Sequence, residues 1–295
     1  MKYRLIALDL DGTLLGPDQE VSQENRRILR EVQAKGIHVV LVTGRSFAAA
    51  RPFATELELG DVPLVSHNGA LVKLAASCAL LECKPLSPLL AMNAVKLSRA
   101  HEVIVSLSDE PEGLGRIVLE QEPTGKLLQY LKKSGAPYHV VDCICEHLVE
   151  ISARGGNPIH ITFSGSCESV DKIDGLFAEC ISSGYRFVKT AYRKRGFSIG
   201  DLLSEEASKS GGLDMVVRHL SLEARDVLAM GDNENDLDML RYAGKAVLMG
   251  NAEPHLLEPG FSLTGSNTED GVAEALKRWV IQDSAGTRTF TQSVS

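Results

Sequence analysis

The chain has 295 residues, of which 44% are hydrophobic, and its 31 basic and 39 acidic side chains give a net charge of −8. This length predicts two domains, and an acidic chain without a Lys/Arg block lacks the footprint of a nucleic-acid-binding protein, so we expect no nucleic-acid partner. No apolar run is long enough to span a membrane and the N-terminus lacks a secretory signal pattern, so we expect no membrane association and a cytoplasmic location.

The N-terminal segment predicts alternating strands and helices. An apolar run that starts at Leu5 is typical of a buried strand, and Ser22 is placed to cap a helix that ends near Gly36. A second buried strand is predicted at Ile37–Val42, and a helix follows it to about Leu57. Strand, helix, strand and helix in this order imply parallel strands joined by right-handed crossovers.

A third short strand is predicted at Pro63–Ser66, and His67–Ala70 is expected to turn the chain back into Leu71–Lys73. Taken with the segments before it, this pattern predicts the α/β class. We expect a doubly wound, Rossmann-like parallel sheet.

Residues 84–190 continue the α/β pattern but carry none of the acidic motifs found at strand ends elsewhere. We therefore predict an inserted α/β domain at 84–190 and a core domain made of 1–83 plus 191–295, with linkers at Pro85–Pro88 and Tyr192–Gly196. The elements predicted in the insertion are helices at Leu89–Ser98, Gly125–Lys133 and Ser169–Ile181, and strands at Val103–Leu107, Tyr138–Val141, Ile159–Phe163 and Arg186–Lys189.

The core pattern returns after the insertion. Its predicted elements are a helix at Lys209–Leu220, a strand at Val227–Met230, a short helix that ends at Tyr242, a strand at Ala246–Met249 and a helix at Gly271–Ile281. The last residues, Asp283–Ser295, are polar and unpatterned, and we expect them to fray. Six cysteines indicate reduced thiols, and Cys143 and Cys145 lack the second pair that a zinc site needs.

Two acidic residues, Asp9 and Asp11, follow the first strand at a spacing of two. Side chains at this spacing on a strand point the same way, so both carboxylates crowd one volume if the geometry continues past the strand. Such crowding is costly unless a cation is present or one carboxyl holds a proton. The alternative is an ordinary Asp-Gly turn with both acids solvated.

Further polar motifs follow other predicted strands or begin helices. In an open parallel sheet these positions share one crevice. Asp232 and Asp236 follow a late strand, and carboxylates from two strands make an all-oxygen site that suits Mg²⁺ rather than zinc. Thr43 and Gly44 open a helix and Lys209 adds a cation, a combination that suits a phosphate group. Together these residues predict phosphoryl transfer.

In this order the motifs resemble those of haloacid dehalogenase superfamily phosphatases, in the Cof-type branch that has a large α/β cap between the second and third motifs. Three more segments match that branch, at Asn68–Ala70, Met249–Ala252 and Glu269–Val272. The resemblance covers nearly the whole chain, although the cap matches by position and size more than by residues.

The resemblance implies that Asp9 is the nucleophile that forms an aspartyl-phosphate and that Asp11 is its general acid and base. It implies that Mg²⁺ is bound by Asp9, the backbone carbonyl of Asp11, and Asp232, with Asp236 in support. The phosphoryl oxygens would be held by Thr43, Gly44, Lys209 and Asn235. The implied reaction is hydrolysis of a small phosphorylated metabolite, such as a sugar phosphate or a phosphorylated cofactor precursor.

Several of these residues have a simpler interpretation. Asp232 and Asp236 could only cap the short helix, and Thr43 could only cap the next one. Lys209 is followed by Ser210, where the family commonly has glycine. Other polar residues are left outside the catalytic set: Arg45 as a salt-bridge residue, Asn68 as a turn residue, and the cap residues His139, Arg154, Asn157 and His160 as core or surface residues.

Two other functions share parts of this pattern. A phosphomutase would need a second phosphate site in the cap, and the strongest basic cluster, Arg193–Arg195, lies in a predicted linker. A phosphate-sensing module without turnover would have no use for Asp11 as a leaving-group acid. We therefore predict a phosphatase.

Overall fold

The computed structural model describes residues 2–181, 183–192 and 196–282. The strands, in chain order, are β1 (Leu5–Leu8), β2 (His38–Leu41), β3 (Pro63–Ser66), β4 (Leu71–Leu74), β5 (Leu80–Cys83), β6 (Val103–Asp109), β7 (Arg116–Leu119), β8 (Tyr138–Val140), β9 (His160–Gly165), β10 (Tyr185–Tyr192), β11 (Phe197–Ser204), β12 (Val227–Gly231), β13 (Lys245–Leu248) and β14 (Ser262–Leu263). The helices are α1 (Gln23–Ala34), α2 (Phe47–Glu56), α3 (Pro88–Ser98), α4 (Gly125–Ser134), α5 (Ile144–Ala153), α6 (Cys167–Cys180), α7 (Lys209–His219), α8 (Leu237–Tyr242) and α9 (Gly271–Leu276).

The first sheet is parallel, with strand order β14-β13-β12-β1-β2. Ala7 of β1 lies between Ala229 of β12 and Val40 of β2. Alternate residues of β1 pack on opposite faces, Ile6 with α1 and α9 and Leu5 with α7 and α8. Helices on both faces explain why the strand is apolar throughout, and the doubly wound sheet predicted from the sequence is confirmed.

The predicted start of α1 is confirmed by its cap. The Ser22 hydroxyl accepts a hydrogen bond from the backbone N–H of Asn25 at 3.1 Å, and α1 begins at the next residue. The cap of α2 is Ser46, which accepts from the N–H of Ala49 at 3.3 Å, so the interpretation of Thr43 as the cap of this helix is wrong. An uncapped first turn leaves backbone donors unsatisfied, so both serines stabilise the helices that lead to the strand ends.

Beside this sheet, β3, β4 and β5 form a small antiparallel sheet. The predicted turn between β3 and β4 is a 3₁₀ turn at His67–Gly69. Three consecutive residues there have positive φ, with values of 52°, 51° and 91° for His67, Asn68 and Gly69. This left-handed backbone is uncommon outside glycine and directs the Asn68 side chain toward the carboxyl end of the parallel sheet.

The second large sheet has strand order β10-β11-β9-β6-β7-β8, and its pairs are antiparallel except β7 with β8. Helices α3, α5 and α6 pack on one face, where the rings of Phe163 and Phe177 are 5.3 Å apart. The four strands predicted in this region are present. The sequence did not predict β7, α5 or β11.

The inserted sheet continues past residue 190, which lies inside β10. Tyr192 pairs with Phe197, and β11 runs to Ser204 in the same sheet. Of the segment predicted as a linker, residues 193–195 lie outside the described ranges. We therefore propose that the inserted domain spans 84–204, because its sheet is incomplete without β11.

Two contacts seat the inserted domain on the first layer. Lys73 of β4 is fully buried, and its Nζ donates to the carbonyl oxygens of Pro111 and Gly113 at 2.6 and 2.5 Å. Ala48 of α2 packs in a small apolar cluster that includes Leu119. The face of the inserted sheet opposite its helices thereby lies toward the carboxyl ends of the parallel strands.

The predicted C-terminal helix is present as α9 followed by a π-helical turn at Lys277–Ile281. The tail predicted to fray, Asp283–Ser295, lies outside the described residues.

Candidate active site

The carboxyl ends of β1 and β12 lie side by side and bring acidic residues together. The backbone N–H of Asp9 donates to the carbonyl of Met230 at 3.1 Å, so Asp9 leaves β1 next to the end of β12. Oxygen atoms of Asp9, Asp232 and Asp236 lie within 4.8 Å of one another. The sequence predicted that Asp9 shares this volume with Asp11. In the structure the carboxylates grouped with Asp9 are those of Asp232 and Asp236, which follow β12.

Lys209 lies at the centre of this acidic group. Its Nζ donates to Oδ1 of Asp9 at 2.7 Å and to Oδ1 of Asp236 at 2.5 Å, and its side chain is only 1% exposed. The pKa of Lys209 is raised because the charges of Asp236 and Asp9 outweigh the effect of burial. The sequence selected this lysine by its order in the chain, and the structure places it against the predicted nucleophile.

The start of α7 holds Lys209 in place. Ser208 caps the helix through the N–H of Gly211 at 2.9 Å. A Cβ atom on Gly69 would lie 1.9 Å from the carbonyl oxygen of Ser208, so only glycine allows this close approach. The turn after β3 therefore fixes the position from which Lys209 enters the site.

Asp236 is fully buried and accepts hydrogen bonds on both carboxylate oxygens. Oδ1 is bound by Lys209, and Oδ2 accepts from the backbone N–H groups of Asp232 and Asn233 at 2.9 and 3.0 Å. Because two of these donors are backbone N–H groups of the loop that carries Asp232, the Asp236 carboxylate holds that loop in its orientation. Asp236 thus takes part in a capping box at the 3₁₀ turn Glu234–Asp236, but its side chain makes no cap bond to α8 itself, and its supporting role at the site stays a prediction.

Asp232 is held at the site by residues from two loops. Its Oδ1 accepts from the Thr13 hydroxyl at 3.2 Å, and its Oδ2 accepts from the Asn251 amide at 3.2 Å. Gly12 has a φ of +90°, and a Cβ there would lie 2.1 Å from Oδ2 of Asp232. Asn251, for which the sequence predicted no role, also donates to the Gly12 carbonyl at 2.9 Å.

The carboxylates of Asp9 and Asp232 have a high affinity for protons. Burial, and after it the charge of Asp236, raises the pKa of Asp9 to about 7 and that of Asp232 to about 8, although Lys209 acts in the opposite direction. The single positive charge of Lys209 therefore does not neutralise the three carboxylates of Asp9, Asp232 and Asp236. An all-oxygen set with excess negative charge fits a hard divalent cation, so the residues present fit Mg²⁺.

We expect the metal-free protein to lose stability as the pH rises. A carboxyl group whose pKa is raised by folding contributes stability that is present below its unfolded value, about 4, and lost through its folded value. For Asp9 and Asp232 that loss extends to about pH 7 and 8. Because Mg²⁺ binds deprotonated carboxylates, the stabilisation it gives should grow over the same range.

Thermal unfolding at about pH 6 and about pH 9, in EDTA and in Mg²⁺, measures this dependence. A Mg²⁺ stabilisation that is larger at the lower pH would contradict the expectation.

Asp11 points away from the acidic group. Arg45 binds its two carboxylate oxygens through Nε and Nη2, each at 2.6 Å, and also donates to the Gln19 side chain. The guanidinium group lies 5.2 Å from the centre of the Phe53 ring. Arg45 is therefore a salt-bridge residue, as predicted from the sequence, but its partner is Asp11, the predicted acid and base.

The predicted phosphate-binding residues meet around Asn68. Thr43 is buried, and its hydroxyl accepts from the backbone N–H of Arg45 at 3.1 Å. A Cβ on Gly44 would lie 3.0 Å from Oδ1 of Asn68, and the Asn235 amide donates to that same oxygen at 3.1 Å. Asn68, interpreted from the sequence as a turn residue, thus joins the Thr43–Gly44 loop to Asn235.

The inserted sheet contributes a buried polar cluster on the other side of Asn68. Asp201 of β11 accepts from the Asn68 amide at 3.0 Å and from the Thr162 hydroxyl at 2.8 Å, and His160 contacts Thr162 at 2.9 Å. His139 is exposed, as is each of the other two cap candidates, Arg154 and Asn157. The sequence predicted no role for Asp201, although a single acid within the mostly apolar β11 was a signal that could have suggested one.

A cleft of about 210 Å³ opens beside the site between the two layers. Its walls include Asn68, Lys209 and Asn235 from the first layer and Arg186 and Val188 of β10. The cleft therefore connects the predicted phosphate-binding residues with a surface of the inserted domain.

Comparison with known proteins agrees with this architecture. The sequence model of the haloacid dehalogenase-like hydrolase family matches residues 6–276. The chain is 28% identical over 278 residues to the 5-amino-6-(5-phospho-D-ribitylamino)uracil phosphatase YcsE of Bacillus subtilis, covering 94% of this chain and 96% of that protein. It is 27% identical over 280 residues to the HMP-PP phosphatase of Serratia proteamaculans, covering 94% and 96% of the two chains.

Among solved structures, a haloacid dehalogenase-like hydrolase from Bacteroides thetaiotaomicron superposes with a TM-score of 0.78 at 25% identity, covering 94% of this chain and 99% of that one. Fold and family together define a hydrolase that acts on phosphate esters. The chain belongs to the haloacid dehalogenase-like hydrolase family, in its Cof-type branch. Within the described ranges, no helix has both the length and the apolar character needed to cross a bilayer.

Proposed function

We propose that this protein is a Mg²⁺-dependent phosphatase that hydrolyses small phosphorylated metabolites through an aspartyl-phosphate on Asp9. The contact between Lys209 and Asp9 carries the proposal, because it places a buried cation beside a carboxylate at the end of β1. A nucleophile in this position needs nearby positive charge to approach an anionic phosphate ester. Asp232 and the predicted phosphate ligands surround the same position.

In the first half of the proposed reaction, a carboxylate oxygen of Asp9 attacks phosphorus. The bond from phosphorus to the leaving-group oxygen breaks, and Asp11 gives that oxygen a proton. In the second half, Asp11 takes a proton from water as the water oxygen attacks phosphorus. The bond to Asp9 then breaks, which releases inorganic phosphate and restores the carboxylate.

Four residues would hold the phosphoryl oxygens during both halves: Thr43, Gly44, Lys209 and Asn235. Lys209 supplies a full positive charge, whereas the other three supply N–H or O–H donors. In a buried site such donors stabilise the charge that develops in the transition state. The contact of Asn68 with Gly44 and Asn235 supports the placement of these donors around one group.

Asp9, Asp232 and the backbone carbonyl of Asp11 would hold Mg²⁺, which when bound supplies positive charge that offsets the repulsion between Asp9 and a phosphate ester. Arg45 binds both carboxylate oxygens of Asp11, so the proposed proton transfers require Asp11 to turn from Arg45 toward the phosphoryl group.

Two observations support a small substrate. The cleft beside Lys209 and Asn235 has a volume of about 210 Å³, which fits a leaving group of metabolite size better than a polymer. Relatives that match nearly the whole chain are named as phosphatases of HMP-PP and of a phosphorylated ribitylaminouracil. We propose sugar phosphates and phosphorylated cofactor precursors as the substrate class.

The phosphate-sensing alternative is not proposed again, because the chain belongs to a hydrolase family. The basic cluster that a phosphomutase was expected to use, Arg193–Arg195, lies outside the described residues. No described contact favours a second phosphate site in the cap, so we propose only the phosphatase.

Phosphate release from a panel of phosphorylated sugars, nucleotides and cofactor precursors tests the proposal. We expect release that requires Mg²⁺, stops in EDTA, and is fastest for sugar or cofactor-precursor esters. Release that continues unchanged in EDTA would contradict the metal site, and no release from any ester would contradict the phosphatase. Inorganic phosphate binding, measured by calorimetry, is the parallel control for an intact site.

A further inference from the structure

A series of hydrogen bonds runs from the inserted domain to a predicted phosphate ligand. The amide nitrogen of Asn68 donates to Oδ2 of Asp201 at 3.0 Å. The amide nitrogen of Asn235 in turn donates to Oδ1 of Asn68 at 3.1 Å. The two bonds join β11 of the cap to the loop that follows β12 in the core.

The direction of these bonds follows from the chemistry of the first acceptor. An ionised carboxylate can only accept hydrogen bonds, so Asp201 must face the N–H side of the Asn68 amide. The Asn68 oxygen is then left to face Asn235, which must present its own N–H. One N–H of Asn235 is used in this contact, and the second stays a donor for a phosphoryl oxygen.

Asn68 is held in place for this role. Its backbone has a φ of 51°, in a left-handed conformation that asparagine adopts more readily than most residues. Its side chain is 2% exposed and packs where a Cβ of Gly44 would otherwise lie. The side chain therefore has little freedom except rotation of its amide group, which Asp201 fixes.

The buried position of the Asp201 carboxylate destabilises the fold. Its side chain is buried without a Lys or Arg partner among the described residues, and burial raises its pKa to about 7. The facing titratable groups are His160, whose Nε2 is 3.7 Å from Oδ1, and His67, whose ring lies edge to face against that of His160. Burial lowers the pKa of both histidines, that of His160 to about 4, so neither neutralises the carboxylate near pH 8. A buried unpaired acid that costs stability indicates a functional role.

We propose that Asp201 is a positioning residue that orients the Asn235 amide through Asn68, so that full affinity for the phosphoryl group requires the cap to be seated on the core. The inference rests on the proposed function, in which Asn235 binds phosphate. In this proposal Asp201 affects the binding of the phosphoryl group and does not contact the leaving group.

The Asp201→Asn variant tests the proposal at about pH 8, where the wild-type carboxyl is mostly ionised. An amide of the same shape can present either end to Asn68, so the fixed direction is lost. We expect the Kd of inorganic phosphate with Mg²⁺ to rise about tenfold, the effect of one lost hydrogen bond in a buried site. The KM of two esters with different leaving groups should rise by the same factor.

The Asp201→Asn variant should bind phosphate more weakly without losing thermal stability. Because Asp201→Asn removes a buried unpaired charge, we expect its thermal unfolding temperature at pH 8 to equal or exceed that of wild type. A purely structural role predicts a lower unfolding temperature and an unchanged Kd. A direct contact with the leaving group predicts an unchanged Kd for inorganic phosphate and unequal changes in KM for the two esters.

Asp109→Asn is the matched control, since Asp109 is another buried acid of the same sheet. It pairs with Arg116 at 2.9 Å and His147 at 2.7 Å, away from Asn68. We expect this variant to unfold at a lower temperature with the Kd of phosphate unchanged. If it weakened phosphate binding as much as Asp201→Asn does, the effect would come from general disturbance of the cap and the proposal would be overturned.

A double-variant cycle tests whether Asp201 acts on phosphate binding through Asn235. Asn235→Ala alone should raise the Kd of phosphate, and adding Asp201→Asn should raise it no further, because the orienting effect has lost its target. Independent, multiplying effects would overturn the proposal. Phosphate binding is measured without turnover, so a wild type that binds phosphate but cleaves no ester refutes the phosphatase alone; a wild type that does not bind phosphate refutes both.

Discussion

Asp9→Asn should abolish phosphate-ester hydrolysis, with a fall in kcat of at least about 10⁴-fold. The amide keeps the size of the carboxylate but cannot form an acyl phosphate by attack on phosphorus. Lys209 keeps its contact with Asp236, so the surrounding group stays assembled. The measurement is phosphate release from the best ester of the panel, in Mg²⁺, at enzyme concentrations high enough to detect residual turnover.

The fold of Asp9→Asn should be intact. Burial raises the pKa of Asp9 to about 7, so a neutral amide removes a carboxylate that destabilises the metal-free protein at higher pH. We expect an unfolding temperature in EDTA no lower than that of wild type. Asp61→Asn, the same change at an exposed acid, should keep wild-type turnover. Wild-type turnover by Asp9→Asn would exclude the covalent mechanism.

Lys209→Met should have the largest combined effect on stability and activity. The substitution leaves Asp9 and Asp236 buried without their cation, and breaking such an ion pair lowers the free energy of unfolding by about 3–5 kcal/mol. Turnover should be lost as well, because the charge beside the nucleophile is gone. Chemical denaturation in EDTA at about pH 6 and about pH 9 measures the stability loss.

The loss should be greater at the higher pH, because protons on the buried carboxyl groups partly replace the missing cation at the lower pH. Lys73→Met is the matched control: Lys73 is also fully buried, but its Nζ binds two backbone carbonyls and no carboxylate. Its stability loss should vary less between the two pH values. An equal pH dependence for both variants would contradict the ionic account of Lys209.

The parts of the fold that the sequence predicted are those with local signals. The strands of the parallel sheet are apolar runs because both their faces are covered, and Ser22 marks the start of α1 by capping it. In contrast, β11 carries Asp201 within an apolar run and follows the segment interpreted as a linker. Its place in the inserted sheet depends on pairing with β9 and β10, which no local pattern encodes.

The same division applies to the site. Asp9, Asp232 and Lys209 could be proposed from strand ends and motif order, because parallel strands bring those positions to one edge. The contact of Asp201 with Asn68 joins residues 133 positions apart in two different layers. The pairing of Arg45 with Asp11 depends on a side-chain direction after the strand has ended. Sequence spacing does not determine either contact.

Chemical trapping of the phosphorylated residue tests the central claim most directly. Enzyme quenched during turnover of a good substrate is reduced with borohydride, which converts an aspartyl-phosphate to homoserine, and the modified peptide is sequenced by mass spectrometry. We predict homoserine at position 9 in the wild type with substrate and none without substrate. Full turnover with no modified aspartate, or with the label at any aspartate other than Asp9, would contradict the proposed mechanism.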